Sequence, residues 1–236
     1  MIGTLYLVPN LLGVSDPSHV LPVRTLMMAR QLSHFIVETP KVARAFLKTV
    51  SPDRVIADIA MVPCEPAKAA ASQCEAWLKA GIDVGVVSDA GCPGMADPGA
   101  VFVALAHQMG AKVTPLVGPS SVLLGLMASG LNGQLFTFHG YLPSKPAERD
   151  AALKAIDRSI KVTRGTQIFI ETPYRNTPMI DAIRASVSGN IDLCIAQALS
   201  TAQETIVCKP INAWTDADRS RLALKEPTLF LLGVRQ

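Results

Sequence analysis

Hydrophobic positions along this chain follow two rhythms. In the first half, short unbroken apolar runs alternate with longer stretches whose apolar residues recur every three to four positions. The runs at 3–8, 35–37, 82–87 and 112–116 read as buried strands, and the stretches at 22–32, 40–50, 66–80 and 100–109 read as helices. Pro22, Pro40 and Pro66 open three of those helices, in the first turn where a missing N–H costs nothing. Strand followed by helix followed by strand is the pattern of a largely parallel sheet.

The second half has a different order. Strand-like runs at 135–139, 167–170, 191–196, 205–209 and 228–233 are separated by only two clear helical stretches, 147–160 and 177–187. Strands adjacent in sequence imply antiparallel pairing. The expectation is therefore an α/β protein of two α/β domains, residues 1–117 with a parallel-rich sheet and 118–236 with a mixed sheet, meeting around a ligand cleft.

Between these elements lies one loop of unusual composition. Val87-Ser88-Asp89-Ala90-Gly91-Cys92-Pro93-Gly94-Met95-Ala96-Asp97-Pro98-Gly99 follows a strand and precedes a helix, and its glycines and prolines keep it out of both. Such clusters also make ordinary surface turns. This one sits at the carboxyl edge of a sheet, where open α/β folds bind ligands. A second strand-and-turn, Val113-Thr114-Pro115-Leu116-Val117-Gly118-Pro119-Ser120-Ser121, leads into the apolar stretch 122–131, with Ser120 or Ser121 as its cap. After the first strand the chain reads Pro9-Asn10-Leu11-Leu12-Gly13, which lacks the Gly-x-Gly-x-x-Gly of a dinucleotide site, and no Gly-x-x-x-x-Gly-Lys-Ser/Thr phosphate loop occurs.

Composition removes further classes. With 49% hydrophobic and 17% charged residues in 236 positions, the chain can build a sizeable core. Its longest apolar stretches fall well short of the ~20 residues that span a bilayer, and its start lacks a secretion signal, so a cytoplasmic protein with no membrane association is expected. Cys64, Cys74, Cys92, Cys194 and Cys208 form no Cys-x-x-Cys pair, and the four histidines are scattered, so no metal is expected. The net charge of +3 permits a nucleic-acid partner without demanding one.

The ordered series Ser88-Asp89-Ala90-Gly91-Cys92-Pro93 with Asp97-Pro98-Gly99, Pro115-Leu116-Val117-Gly118-Pro119-Ser120-Ser121, Ala128-Ser129-Gly130-Leu131 and Gly140-Tyr141-Leu142-Pro143 resembles the tetrapyrrole methylase family of S-adenosylmethionine-dependent methyltransferases. Phe169-Ile170-Glu171-Thr172-Pro173-Tyr174-Arg175, Ala198-Leu199-Ser200 and Glu204-Thr205-Ile206 extend the likeness toward its bacterial small-subunit rRNA 2′-O-ribose methyltransferase branch. That branch's usual Glu-Asp-Thr-Arg appears here as Glu38-Thr39-Pro40-Lys41.

The resemblance implies two α/β domains, a homodimer, and S-adenosylmethionine in the cleft. It places Asp89, Ala90 and Gly91 by the methionine part, with Pro9 and Asp97 in the same site. Met95, Ser120 and Ser121 come around ribose and sulfonium, and Leu199, Pro227 and Thr228 beside adenine. Methyl transfer from a sulfonium needs orientation and exclusion of water more than acid–base machinery. Glu38, ending the second strand, is the candidate base for a ribose hydroxyl, and Lys145, Arg149 and Arg175 are candidates to hold acceptor phosphates of rRNA or the small ribosomal subunit. Two other readings accompany this one: C-methylation of a tetrapyrrole, and S-adenosylmethionine binding without turnover.

Overall fold

The computed structural model describes residues 1–222 and 225–235, with Arg221 described by its backbone alone. The chain divides into two compact units, Met1–Ser120 and Ser121–Gln236, where the sequence expectation set the division after residue 117.

The first unit runs β1 (Leu5–Leu7), α1 (Pro17–Val20), α2 (Val23–Gln31), β2 (His34–Val37), α3 (Pro40–Val50), β3 (Ala60–Pro63), α4 (Ala67–Lys79), β4 (Val84–Val87), α5 (Ala100–Gln108) and β5 (Val113–Pro115). Its five strands lie in the order β3-β2-β4-β1-β5 and pair only in parallel. Helix α3 shows why its sequence folds as it does: Ala43, Phe46, Leu47 and Val50 recur at helical spacing and are all buried, and Pro40 occupies the first turn. Strand β4 is buried along its whole length. A Cβ on Gly85 would lie 2.6 Å from the Phe35 ring, so glycine is what lets that ring pack against the sheet. Sequence pattern missed β3, whose apolar core is only Met61-Val62 before Pro63, and the four-residue α1.

Strand order determines where a site can form. The chain walks outward from β1 to β2 to β3, returns to β4, and crosses to β5 on the far side. Neighbouring strands β1 and β4 therefore send their connections in opposite directions, which opens a crevice above their carboxyl ends.

The second unit runs α6 (Ser121–Ser129), β6 (Phe136–Tyr141), α7 (Pro146–Thr163), β7 (Thr166–Glu171), α8 (Asn176–Ser186), β8 (Asp192–Gln197), β9 (Thr205–Pro210), α9 (Asp216–Arg221) and β10 (Thr228–Gly233). Its sheet has the order β6-β7-β10-β8-β9, with β6 and β7 parallel and the remaining pairs antiparallel, so it is mixed as expected. One face carries Phe169 and Phe230, stacked at 5.4 Å, packed with Leu153, Ile160, Met179 and Ile183 from α7 and α8. The other face receives α6, where a Cβ on Gly125 would meet Leu229 Cδ2 at 2.2 Å. Short α9 was not anticipated; it begins on a capping box in which Thr215 and Asp218 satisfy each other's backbone N–H groups.

Candidate functional site

Four turns gather at the carboxyl edge of the parallel sheet, following β1, β2, β4 and β5. Their hydrogen bonds decide which backbone groups are left without a protein partner. Asn10, 4% exposed, donates its amide Nδ2 to the carbonyls of Ser88 at 3.1 Å and Asp89 at 3.0 Å. Its backbone N–H reaches the Gly91 carbonyl at 2.9 Å, and its Oδ1 accepts from the Leu11 N–H at 2.8 Å. The Ala90 carbonyl accepts from the Ser88 hydroxyl at 3.2 Å. Every carbonyl from Ser88 to Gly91 is thus committed within the unit, while the N–H groups of Ala90 and Cys92 have no protein partner among the described residues. A turn that ties up its acceptors and leaves donors free is suited to an anionic group.

Glycine is required at specific points. Gly91 has φ 69° and Gly94 φ 83°, in the left-handed region that side chains disfavour. Gly118, in the turn after β5, lies so close to Pro9 that a Cβ would sit 2.3 Å from Pro9 Cβ. Cys92 Sγ lies 3.4 Å from the Pro119 carbonyl and binds the two turns together. Pro9 is buried in this packing, whereas Met95 is 47% exposed and Ala90 is exposed.

Three carboxylates share this edge. Glu38 Oε2 accepts from the Asp89 N–H at 2.9 Å, and the Asp89 carboxylate accepts from the Thr39 N–H at 3.0 Å and the Thr39 hydroxyl at 2.7 Å. Glu38, the candidate base of the sequence reading, links the β2 and β4 turns through its Oε2. Asp97 is pushed up from 3.8 to about 6, first by burial, then by the negative charge of Glu38, with Asp89 adding to it and the Ser88 hydroxyl opposing. Burial likewise pushes the Cys92 thiol up, with Asp97 adding to it. Between roughly pH 4 and 6 the folded chain holds a proton on Asp97 that the unfolded chain has released. Stability falls as pH rises through that window and stays lower above it. Asp97→Asn removes the penalty, so its thermal midpoint is expected to exceed the wild type's at pH 8, with the gap closing toward pH 4. Melting curves across that range check it; a gap independent of pH would contradict it.

In the second unit a buried polar row crosses the sheet. Thr228 pairs with Glu171 on one side and Gln197 on the other, and accepts from Gln197 Nε2 at 2.6 Å. Leu199, 5% exposed, follows between Ala198 at φ 50° and Ser200 at φ 61°. Left-handed backbone at non-glycine residues marks a turn held by its surroundings. Pro227 is exposed beside this row; Ser120 and Ser121 are half-buried at the start of α6.

The basic candidates divide. Lys145 is exposed and pairs with Glu148 at 3.1 Å. Arg149 is mostly covered, its Nε 3.5 Å from Asp150. Arg175 is employed inside the unit: its Nη2 lies 3.0 Å from Oε2 of the fully buried Glu171 side chain and donates to the carbonyls of Leu142 and Pro143 at 3.2 and 3.3 Å. It anchors the loop that carries Lys145. Sequence reading missed Asn10; an asparagine directly after a strand and a proline, where Asx side chains bond nearby backbone, was the available signal. Among the described residues no group of three His, Cys, Asp or Glu side chains is arranged to hold a metal ion.

No family model matches the chain. It is 37% identical over 147 residues to ribosomal RNA small subunit methyltransferase I of Vibrio cholerae serotype O1, covering 61% of this chain and 50% of that protein. To the protein of the same name from Xylella fastidiosa it is 30% identical over 219 residues, covering 87% of this chain and 71% of that one. The chain spans about half the length of the Vibrio and Bacillus subtilis relatives. Among solved structures, a conserved hypothetical protein from Aeropyrum pernix K1 superposes with TM-score 0.69 at 13% identity, over 100% of this chain and 86% of that one. Uroporphyrin-III C-methyltransferase from Thermus thermophilus, solved with S-adenosylhomocysteine, gives TM-score 0.55 at 18% identity, over 98% and 97% of the two chains. These likenesses establish the fold.

Proposed function

The chain belongs to the ribosomal RNA small subunit methyltransferase I family, and from that premise we propose that it is an S-adenosylmethionine-dependent methyltransferase whose acceptor is a ribose 2′-hydroxyl of small-subunit rRNA. The observation that carries the reading is the Ser88–Cys92 turn, whose carbonyls are tied inward while two N–H groups stay free. That donor pattern fits the carboxylate of the cofactor's methionine part. Bound there, S-adenosylmethionine would supply a methyl group from its sulfonium and depart as a neutral thioether without an acid, the ribose hydroxyl giving its proton to water.

The chain's residues then have to position and exclude water. Asn10 holds the donor turn. Glu38 and Asp89 keep the neighbouring turns in register, so Glu38 is a positioning residue in this reading. Pro9 and Gly118 bring two turns into contact with no side chain between them. Lys145, exposed on the loop that Arg175 anchors, can exchange its surface pairing with Glu148 for an acceptor phosphate.

Two further parts belong to the proposal. Leu123 and Met127 lie one turn apart on α6 and are both exposed, which supports a homodimer formed through that helix; light scattering of wild type against Met127→Glu measures it, and an unchanged monomeric mass in both would remove it. No helix among the described residues is long and apolar enough to cross a membrane, and the proposed substrate places the protein in the cytoplasm.

The test is incubation with labelled S-adenosylmethionine and small ribosomal subunits from a strain lacking the gene. One labelled ribose is the expected result. Label on a tetrapyrrole instead would move the acceptor to carbon, and calorimetric binding without turnover on any acceptor would leave a cofactor-binding protein that is not an enzyme.

A further inference from the structure

We propose that Cys194 and Cys208 form an oxidative modification site, a dithiol poised to close into a cross-strand disulfide when the protein meets a hydroperoxide. The proposal stands apart from methyl transfer and rests on strand register. Strands β8 and β9 are antiparallel, and Cys194 is directly opposite Cys208. The Ile211 N–H donates to the Ile191 carbonyl, so 191 and 211 form a hydrogen-bonded pair. Alternation along the ladder then makes 192 with 210 a non-bonded pair, consistent with Pro210 having no N–H, and 194 with 208 another. Non-bonded pairs bring opposing Cα atoms to about 4.5 Å, inside the roughly 4.4–6.8 Å that a disulfide spans. Opposed residues point to the same face, so the two sulfurs need no strand movement to meet.

Their environments divide the chemistry between them. Cys194 is fully buried, while Cys208 lies half-buried on the edge strand and is the more accessible of the two. The hydrogen bond from Cys194 lowers the Cys208 thiol below its ordinary range, with Arg235 assisting against burial and Asp192. The same contact, together with burial, raises Cys194. Arg235 is held beside the pair, its Nη2 donating to the Cys208 carbonyl at 3.0 Å and lying 3.1 Å from Asp192. Cys208 is therefore the thiolate that attacks. It takes one oxygen from the hydroperoxide, releasing an alcohol or water and becoming a sulfenic acid. Cys194 sulfur then attacks Cys208 sulfur, and the hydroxyl leaves as water with the Cys194 proton. Two thiols are oxidised by two electrons and one peroxide bond is reduced.

Closure encloses the turn from Ala198 to Glu204, with its left-handed Ala198 and Ser200. Cys64 and Cys74, both buried in the other unit, serve as internal references.

The experiment treats the folded, full-length chain with dilute hydrogen peroxide, blocks remaining thiols with an alkylating agent, and cleaves after Glu204, which separates the two cysteines. The expected product is one peptide pair joined by a disulfide between Cys194 and Cys208, lost on reduction with dithiothreitol, with both cysteines withdrawn from alkylation while Cys64 and Cys74 are unchanged. In Cys208→Ser the joined pair should be absent and Cys194 should remain a thiol. Recovery of Cys194 as a free thiol after Cys208 has been oxidised would overturn the proposal, as would Cys194 joined to any other cysteine.

Discussion

Asn10→Asp is expected to weaken S-adenosylmethionine binding at least roughly tenfold, about 1.4 kcal/mol, and to lower stability by on the order of 3 kcal/mol. The substitution changes one terminal group. Asp keeps the backbone N–H that reaches Gly91 and the oxygen that accepts from Leu11, but replaces the amide donor shared by the Ser88 and Asp89 carbonyls with an oxygen. A carboxylate oxygen would then face two carbonyl oxygens at a position only 4% exposed. Either the turn opens or the carboxylate protonates, and both outcomes disturb the arrangement that leaves the Ala90 and Cys92 N–H groups without a protein partner. Calorimetry at a temperature where the variant is still folded separates lost binding from lost fold. Affinity within about twofold of wild type (~0.4 kcal/mol) would mean the turn keeps its shape without this staple.

The second large effect concerns Arg175→Met, expected to cost about 3 kcal/mol, the low end for breaking a buried ion pair because the arginine itself is partly exposed. The Glu171 side chain has no solvent exposure, and its Oε2 faces the Arg175 guanidinium while Oε1 accepts from Thr172. Removing the cation strands that charge and also takes the donor from the Leu142 and Pro143 carbonyls. Adding Glu171→Gln should recover part of the loss, since a neutral amide there is cheaper to bury than an unpaired carboxylate. Denaturant unfolding of the two single variants and the double measures the coupling. Additive losses would show that the two side chains do not act as a pair.

The same residue shows where sequence reading stops. Basic and ending a recognisable segment, Arg175 is a candidate phosphate ligand by sequence; only the return of the chain through Leu142 and Pro143 shows that its guanidinium also has partners inside the unit. Glu38 shows the same limit. Its place at the end of a strand was legible, whereas its hydrogen bond to the Asp89 N–H depends on β2 lying beside β4. Strand β3 escaped because its short apolar run is no stronger than that of many loops, and its strand character comes from pairing with β2.

Sequence alone determined most of the helices and strands, with β3, α1 and α9 the exceptions, that one sheet is parallel-rich and the other mixed, and that two glycine-bearing turns end strands. Those properties arise from side-chain periodicity and backbone freedom within a few residues. Tertiary structure decided partnership: Asn10 with a turn nearly eighty residues away, Glu38 with Asp89, Cys194 with Cys208. Such pairings follow from strand order and register, which the packing of whole sheets selects, and no local preference encodes them.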